Sequence, residues 1–144
     1  MNEDRDRVIA ASWIGTALFG VTAIGDVITA SLKWPAFIVA VAMFVIGTGV
    51  FIGALVIAAG RSRQHEIGMG GLFFLQGSAP RDIQFQLLGS LGAQLIIALA
   101  TAAAKPYTTL AFGILAPVYG LGLTGLWAAR HGTFGPRVAS PKRR

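Results

Sequence analysis

Not one cysteine occurs among the 144 residues, which excludes disulfides, thiolate metal sites, cysteine nucleophiles and thiol redox chemistry. Charge is scarce as well. Asp, Glu, Lys and Arg make up 12% of the chain, about half the share usual for a soluble domain. The histidines are limited to His65 and His131, and no acidic pair accompanies either, so the residues spell out no metal site and no general acid/base constellation. Ser, His and Asp are present without the spacing of a nucleophile elbow. Gly68, Gly70 and Gly71 follow no expected strand and lack the Lys and Ser/Thr that complete a phosphate-binding loop. Enzymatic chemistry, a cofactor and a bound metal are therefore not expected.

What fills the chain instead is four long apolar stretches, at 8–32, 35–59, 83–104 and 108–129. Each exceeds the roughly 20 residues that cross the hydrocarbon of a bilayer at about 1.5 Å per residue, and a helix satisfies its own backbone polar groups there without water. Asp26 is the one formal charge within them. The fold class expected is all-α, a bundle of four transmembrane helices made of two helical hairpins, 8–59 and 83–129. A linker at 60–82 joins them, a short segment at 1–7 precedes them and a basic tail at 130–144 follows.

The cations orient this bundle. Arg5, Arg7, Arg61, Arg63, Arg81, Arg130, Arg137, Lys142, Arg143 and Arg144 lie in the two termini and the linker, whereas Lys33 and Lys105 alone lie in the opposite connections. Ten against two in short segments places both termini and the linker in the cytoplasm by the positive-inside rule. The basic excess is accounted for by topology and by attraction to anionic headgroups, so nucleic acid is not expected as a partner. The first stretch is longer than the apolar region of a secretory signal and is followed at once by a second span, which reads as an uncleaved signal anchor.

Both outer turns, Leu32-Lys33-Trp34-Pro35 and Ala104-Lys105-Pro106-Tyr107, combine a cation, a proline and an aromatic. Either a duplication of hairpins or the shared demands of any membrane hairpin explains that likeness. Small residues mark the expected seams. On the second span Ala42, Gly49, Gly53 and Gly60 share a face, with Gly49 and Gly53 forming a GxxxG step; on the third, Gly89, Ser90, Ala93 and Gln94 do so. On the fourth, Gly113, Pro117, Gly120 and Thr124 align, and Pro117 is expected to kink the helix near mid-membrane, as packing or as a hinge.

Asp26 stands six residues beyond the centre of its span near Gly20, about 9 Å toward the outer face and still within the hydrocarbon. A carboxylate at the bilayer centre costs about 2.5 to 3.5 kcal/mol against lipid and one off-centre somewhat less, so a protein seam or a wet cleft is expected around it. Two roles fit. It could bind a cation or couple protons to transport, or it could serve structurally, accepting hydrogen bonds from Thr22, Thr29, Gln94 or a partner subunit with weak support from Lys33 two turns away. Gln94 itself reads as interhelical glue.

The linker carries an apolar, glycine-rich passage, Ile67-Gly-Met-Gly-Gly-Leu-Phe-Phe-Leu-Gln-Gly, that is too short to span. It is expected on the membrane surface or dipping between the helices, with Leu72, Phe73, Phe74 and Leu75 as an anchor or a docking patch for a membrane partner. Ser78 is expected to cap the next helix, with Pro80 in its first turn.

The run Leu110-Ala-Phe-Gly-Ile-Leu-Ala-Pro-Val-Tyr-Gly-Leu-Gly-Leu-Thr-Gly-Leu-Trp-Ala-Ala-Arg-His-Gly-Thr-Phe-Gly-Pro-Arg resembles the last helix and tail of small actinobacterial membrane proteins, with a likeness reaching back to Ser78-Ala-Pro-Arg-Asp. That resemblance implies a bacterial inner membrane and no particular activity. Small multidrug resistance transporters are similar in having four helices and an acidic residue on the first. This chain departs from them in carrying Asp26 toward the outer end and in its longer linker. The function expected is that of an accessory or scaffold protein that packs against itself or a larger membrane complex. The alternative is a small oligomeric transporter or channel using Asp26.

Overall fold

The structure, a computed structural model, describes residues 2–138; the basic run expected at 140–144 lies outside the described residues. The described chain is helical, with one isolated antiparallel bridge between His65 and Pro136. Four helical segments are long and apolar enough to cross a membrane. Helix α1 (Asn2–Thr29) and helix α2 (Lys33–Arg61) are followed by a short helix α3 (Met69–Phe73), then α4 (Arg81–Ala104), a 3-10 segment (Thr109–Leu115) and α5 (Pro117–His131).

The fourth span is not the single kinked helix expected at 108–129. Pro117 begins α5, where its missing N–H is one that a helix start leaves unused. Upstream the backbone is wound more tightly, with Ala111 N bonding Thr108 O at 3.1 Å and Ala116 N bonding Gly113 O at 3.0 Å. At about 2.0 Å per residue for the seven-residue 3-10 turn and 1.5 Å for the fifteen-residue helix, the two pieces still cover about 36 Å. Ser78 is not the cap of α4 either. Pro80 occupies that position without a side-chain cap, and the Ser78 hydroxyl donates to Gly71 O instead.

The tightest packing joins helices of like direction. α1 lies along α4, and α2 lies along α5 and the 3-10 segment. Small residues bring α2 and α5 together: a Cβ built on Gly47 would stand 2.5 Å from the Tyr119 backbone, and one on Gly122 would stand 2.6 Å from Gly47 O. Glycine is required at both positions. Gly113 and Gly120 also lie in the interior, against Phe19 and Gln94. Gly49 and Gly53 do not. Nothing lies within 4 Å of a Cβ built on either, so the GxxxG step expected at an interhelical seam points outward, with Gly49 two residues and about 200° round the helix from the seam at Gly47.

α3 closes the end where both termini lie. Leu72, Phe73 and Leu75 are buried against Ala54, Ala58, Ile83, Leu87 and Trp127, and Phe73 stacks on Phe51 at 4.6 Å between ring centroids. Phe51 is ten residues from Arg61, so Phe73 reaches about 15 Å into the bundle along α2. Leu75 takes φ +57°, a left-handed conformation unusual for a branched side chain; it reverses the chain and turns the residue into the core. Arg61 ties this end together by donating to Ala129 O at 2.7 Å and Gly132 O at 3.0 Å, carbonyls that the end of α5 leaves without a helical partner.

Candidate functional site

Two polar centres lie at different depths between α1 and α4. The deeper one begins with Ser12 and Thr16, one turn apart on α1, facing Ser90 and Gln94, one turn apart on α4. All four side chains are buried. Gln94 Nε2 donates to Thr16 Oγ1 at 2.8 Å, while Gln94 Oε1 accepts from Gly120 N at 3.1 Å. Thr16 Oγ1 gives its single proton to Ser12 O at 2.8 Å. Ser90, 2.8 Å from Thr16 Oγ1, must then donate to it, and Ser12, 2.6 Å from Ser90 Oγ, must donate to Ser90. The directions of the chain are thus fixed, and Thr16 Oγ1 has both lone pairs engaged. Gln94 joins α1, α4 and α5, and the Tyr119 hydroxyl adds a bond to Ala11 O at 3.0 Å.

The second centre is Asp26, 3% exposed, near the far end of α1. Its partner is Lys105, which directly follows α4. Lys105 Nζ stands 3.7 Å from Asp26 Oδ2 and donates to Asp26 O at 2.6 Å. The ammonium therefore meets both the carboxylate and the carbonyl end of α1, where a cation is favoured. Asp26 Oδ1 is buried with no hydrogen-bond partner among the described residues.

None of the side chains of this chain expected as partners of Asp26 bonds its carboxylate. Thr22 donates to Leu18 O and Thr29 to Gly25 O, the carbonyls one turn back, which a helical threonine reaches without reorganisation. Gln94 sits at the level of Thr16, ten residues or about 15 Å along α1 from Asp26. Lys33 shares a face with Asp26 only if the helix continues, and α1 ends at Thr29 with Ala30 at φ +53°. The linker residues expected as an anchor or a docking patch divide between inside and outside. Leu72, Phe73 and Leu75 are consumed by the chain's own core, leaving Phe74 exposed.

No group of three or more His, Cys, Asp or Glu side chains able to hold a metal occurs among the described residues. The class that the architecture defines is a multi-pass helical membrane protein. Comparison with protein-family models, with curated proteins and with solved structures finds no match.

Proposed function

We propose that this chain is a small accessory or scaffold protein of a bacterial inner membrane, with both termini and the linker in the cytoplasm, that associates with itself or with a larger membrane complex. The observation that carries the reading is the filling of the bundle: Leu72, Phe73 and Leu75 occupy the termini end, and above them the Ser12, Thr16, Ser90 and Gln94 side chains satisfy one another. A bundle so committed internally has its exterior left for work. α2 offers Gly49 and Gly53 outward on an apolar face that includes exposed Val45, Ile46, Ile52 and Val56. Close helix approach at such a step is a common basis of association in membranes.

Purification in native nanodiscs followed by mass spectrometry tests the reading. A homo-oligomer or a defined complex is expected, lost when Gly49 and Gly53 are both changed to Leu while the protein still inserts. A lone monomer in the unaltered protein contradicts it. A second reading, an oligomeric cation- or proton-coupled transporter, draws on the buried, unbonded Asp26 Oδ1. It requires pH-dependent flux in proteoliposomes that disappears in Asp26→Asn with the protein still folded.

A further inference from the structure

A cleft of about 460 Å³ opens at the termini end, lined by Arg5 of α1, Trp127 and His131 of α5, and Ser78, Pro80 and Thr133 of the flanking loops. Two carbonyls at or beside its wall are committed. Ser78 O takes the Thr133 N–H at 2.9 Å, and Gly132 O beside it takes Arg61. Its donors are not. Arg5 Nε, Trp127 Nε1 and His131 Nδ1 are all buried, and none has a hydrogen-bond partner among the described residues. Trp127 is 2% exposed, so its indole N–H cannot turn to bulk water, and the His131 ring lies beside it at 5.7 Å between centroids. The nearest acid to Arg5 is Asp6, whose Oδ1 is 3.9 Å from Arg5 Nε, beyond hydrogen-bond reach.

A guanidinium, an indole N–H and an imidazole lining one cleft suit an acceptor-rich, negatively charged occupant. Arg5 and His131 lie at the termini end of two of the four candidate membrane spans, the depth at which headgroup phosphates lie. We infer that this cleft binds a phosphate-bearing anion, through a charge-assisted bond from the Arg5 guanidinium and hydrogen bonds from the Trp127 indole and the His131 imidazole. Its chemistry is that of a phosphate ester, carried by an anionic lipid headgroup or by a soluble phosphate. The inference stands apart from the association reading, since it uses no residue of the outward face of α2.

The full chain, delipidated in zwitterionic detergent, provides the test. In one arm native mass spectrometry compares retention of phosphatidylglycerol with phosphatidylcholine; in the other calorimetry follows inorganic phosphate and glycerol phosphate titrated into the protein in phosphatidylcholine nanodiscs. Loss of one charge-assisted bond weakens binding about tenfold. Arg5→Gln, at a partly exposed position, and Trp127→Phe, which keeps the ring and removes the donor, are each expected to reduce binding on that order. Arg81→Gln, outside the cleft, is expected to leave it unchanged. An Arg5-dependent signal in the first arm assigns a lipid headgroup, and in the second a soluble phosphate. Equal binding by Arg5→Gln, Trp127→Phe and the unaltered protein in both arms overturns the inference.

Discussion

A carboxylate at the depth of Asp26 costs a few kcal/mol against lipid, and Lys105 is what makes it tolerable. The pair differs from a surface ion pair because Asp26 is nearly inaccessible and the same ammonium also bonds the α1 carbonyl end. Lys105→Met should lower stability by about 2 kcal/mol in an SDS unfolding titration. That is less than the ~3 to 5 kcal/mol of a fully buried broken pair, because Lys105 keeps partial access to water. Adding Asp26→Asn should restore much of the loss. Additive losses would mean that the two side chains act independently. The importance of Asp26 was legible in the sequence because it is a lone charge in an apolar run; its partner was not, because seventy-nine residues separate the two and only the parallel packing of α1 on α4 joins them.

The helices illustrate how far periodicity carries. Span positions and the internal role of Gln94 follow from hydropathy and helical spacing, but which small-residue stripe meets a neighbour depends on a rotation that composition does not encode. Gly47 and Gly49 are two residues apart and lie on opposite sides of that outcome. Gly47→Leu should separate α2 from α5 and reduce the melting temperature of the monomer by several degrees, whereas Gly49→Leu should leave the monomer's melting unchanged; equal effects would place the seam elsewhere. The inserted loop is a similar case, because an apolar passage too short to span reads equally as a surface anchor and as a plug. Its burial predicts that Phe73→Ala costs about 3 to 5 kcal/mol in unfolding titrations, as for large core truncations, and that Phe74→Ala costs little. Similar small effects for both would return the loop to the surface. The break at Pro117 was legible as an irregularity, while the switch to 3-10 winding before it depends on packing of the segment against α2 and α4.

For the molecule as a whole, membrane insertion, the side on which the termini lie and the closure of that end by α3 form a single account. Charge distribution supports the orientation, and packing supports the closure. Because the chain has no cysteine, single cysteines introduced at Arg63, Lys33 and Phe73 report on all of it when probed with a membrane-impermeant maleimide in intact cells and in inverted membranes. The account predicts that Lys33→Cys is labelled only from outside, Arg63→Cys only from the cytoplasmic side, and Phe73→Cys from neither until the protein is denatured. Labelling of Arg63→Cys in intact cells, or ready labelling of Phe73→Cys in folded protein, would contradict it.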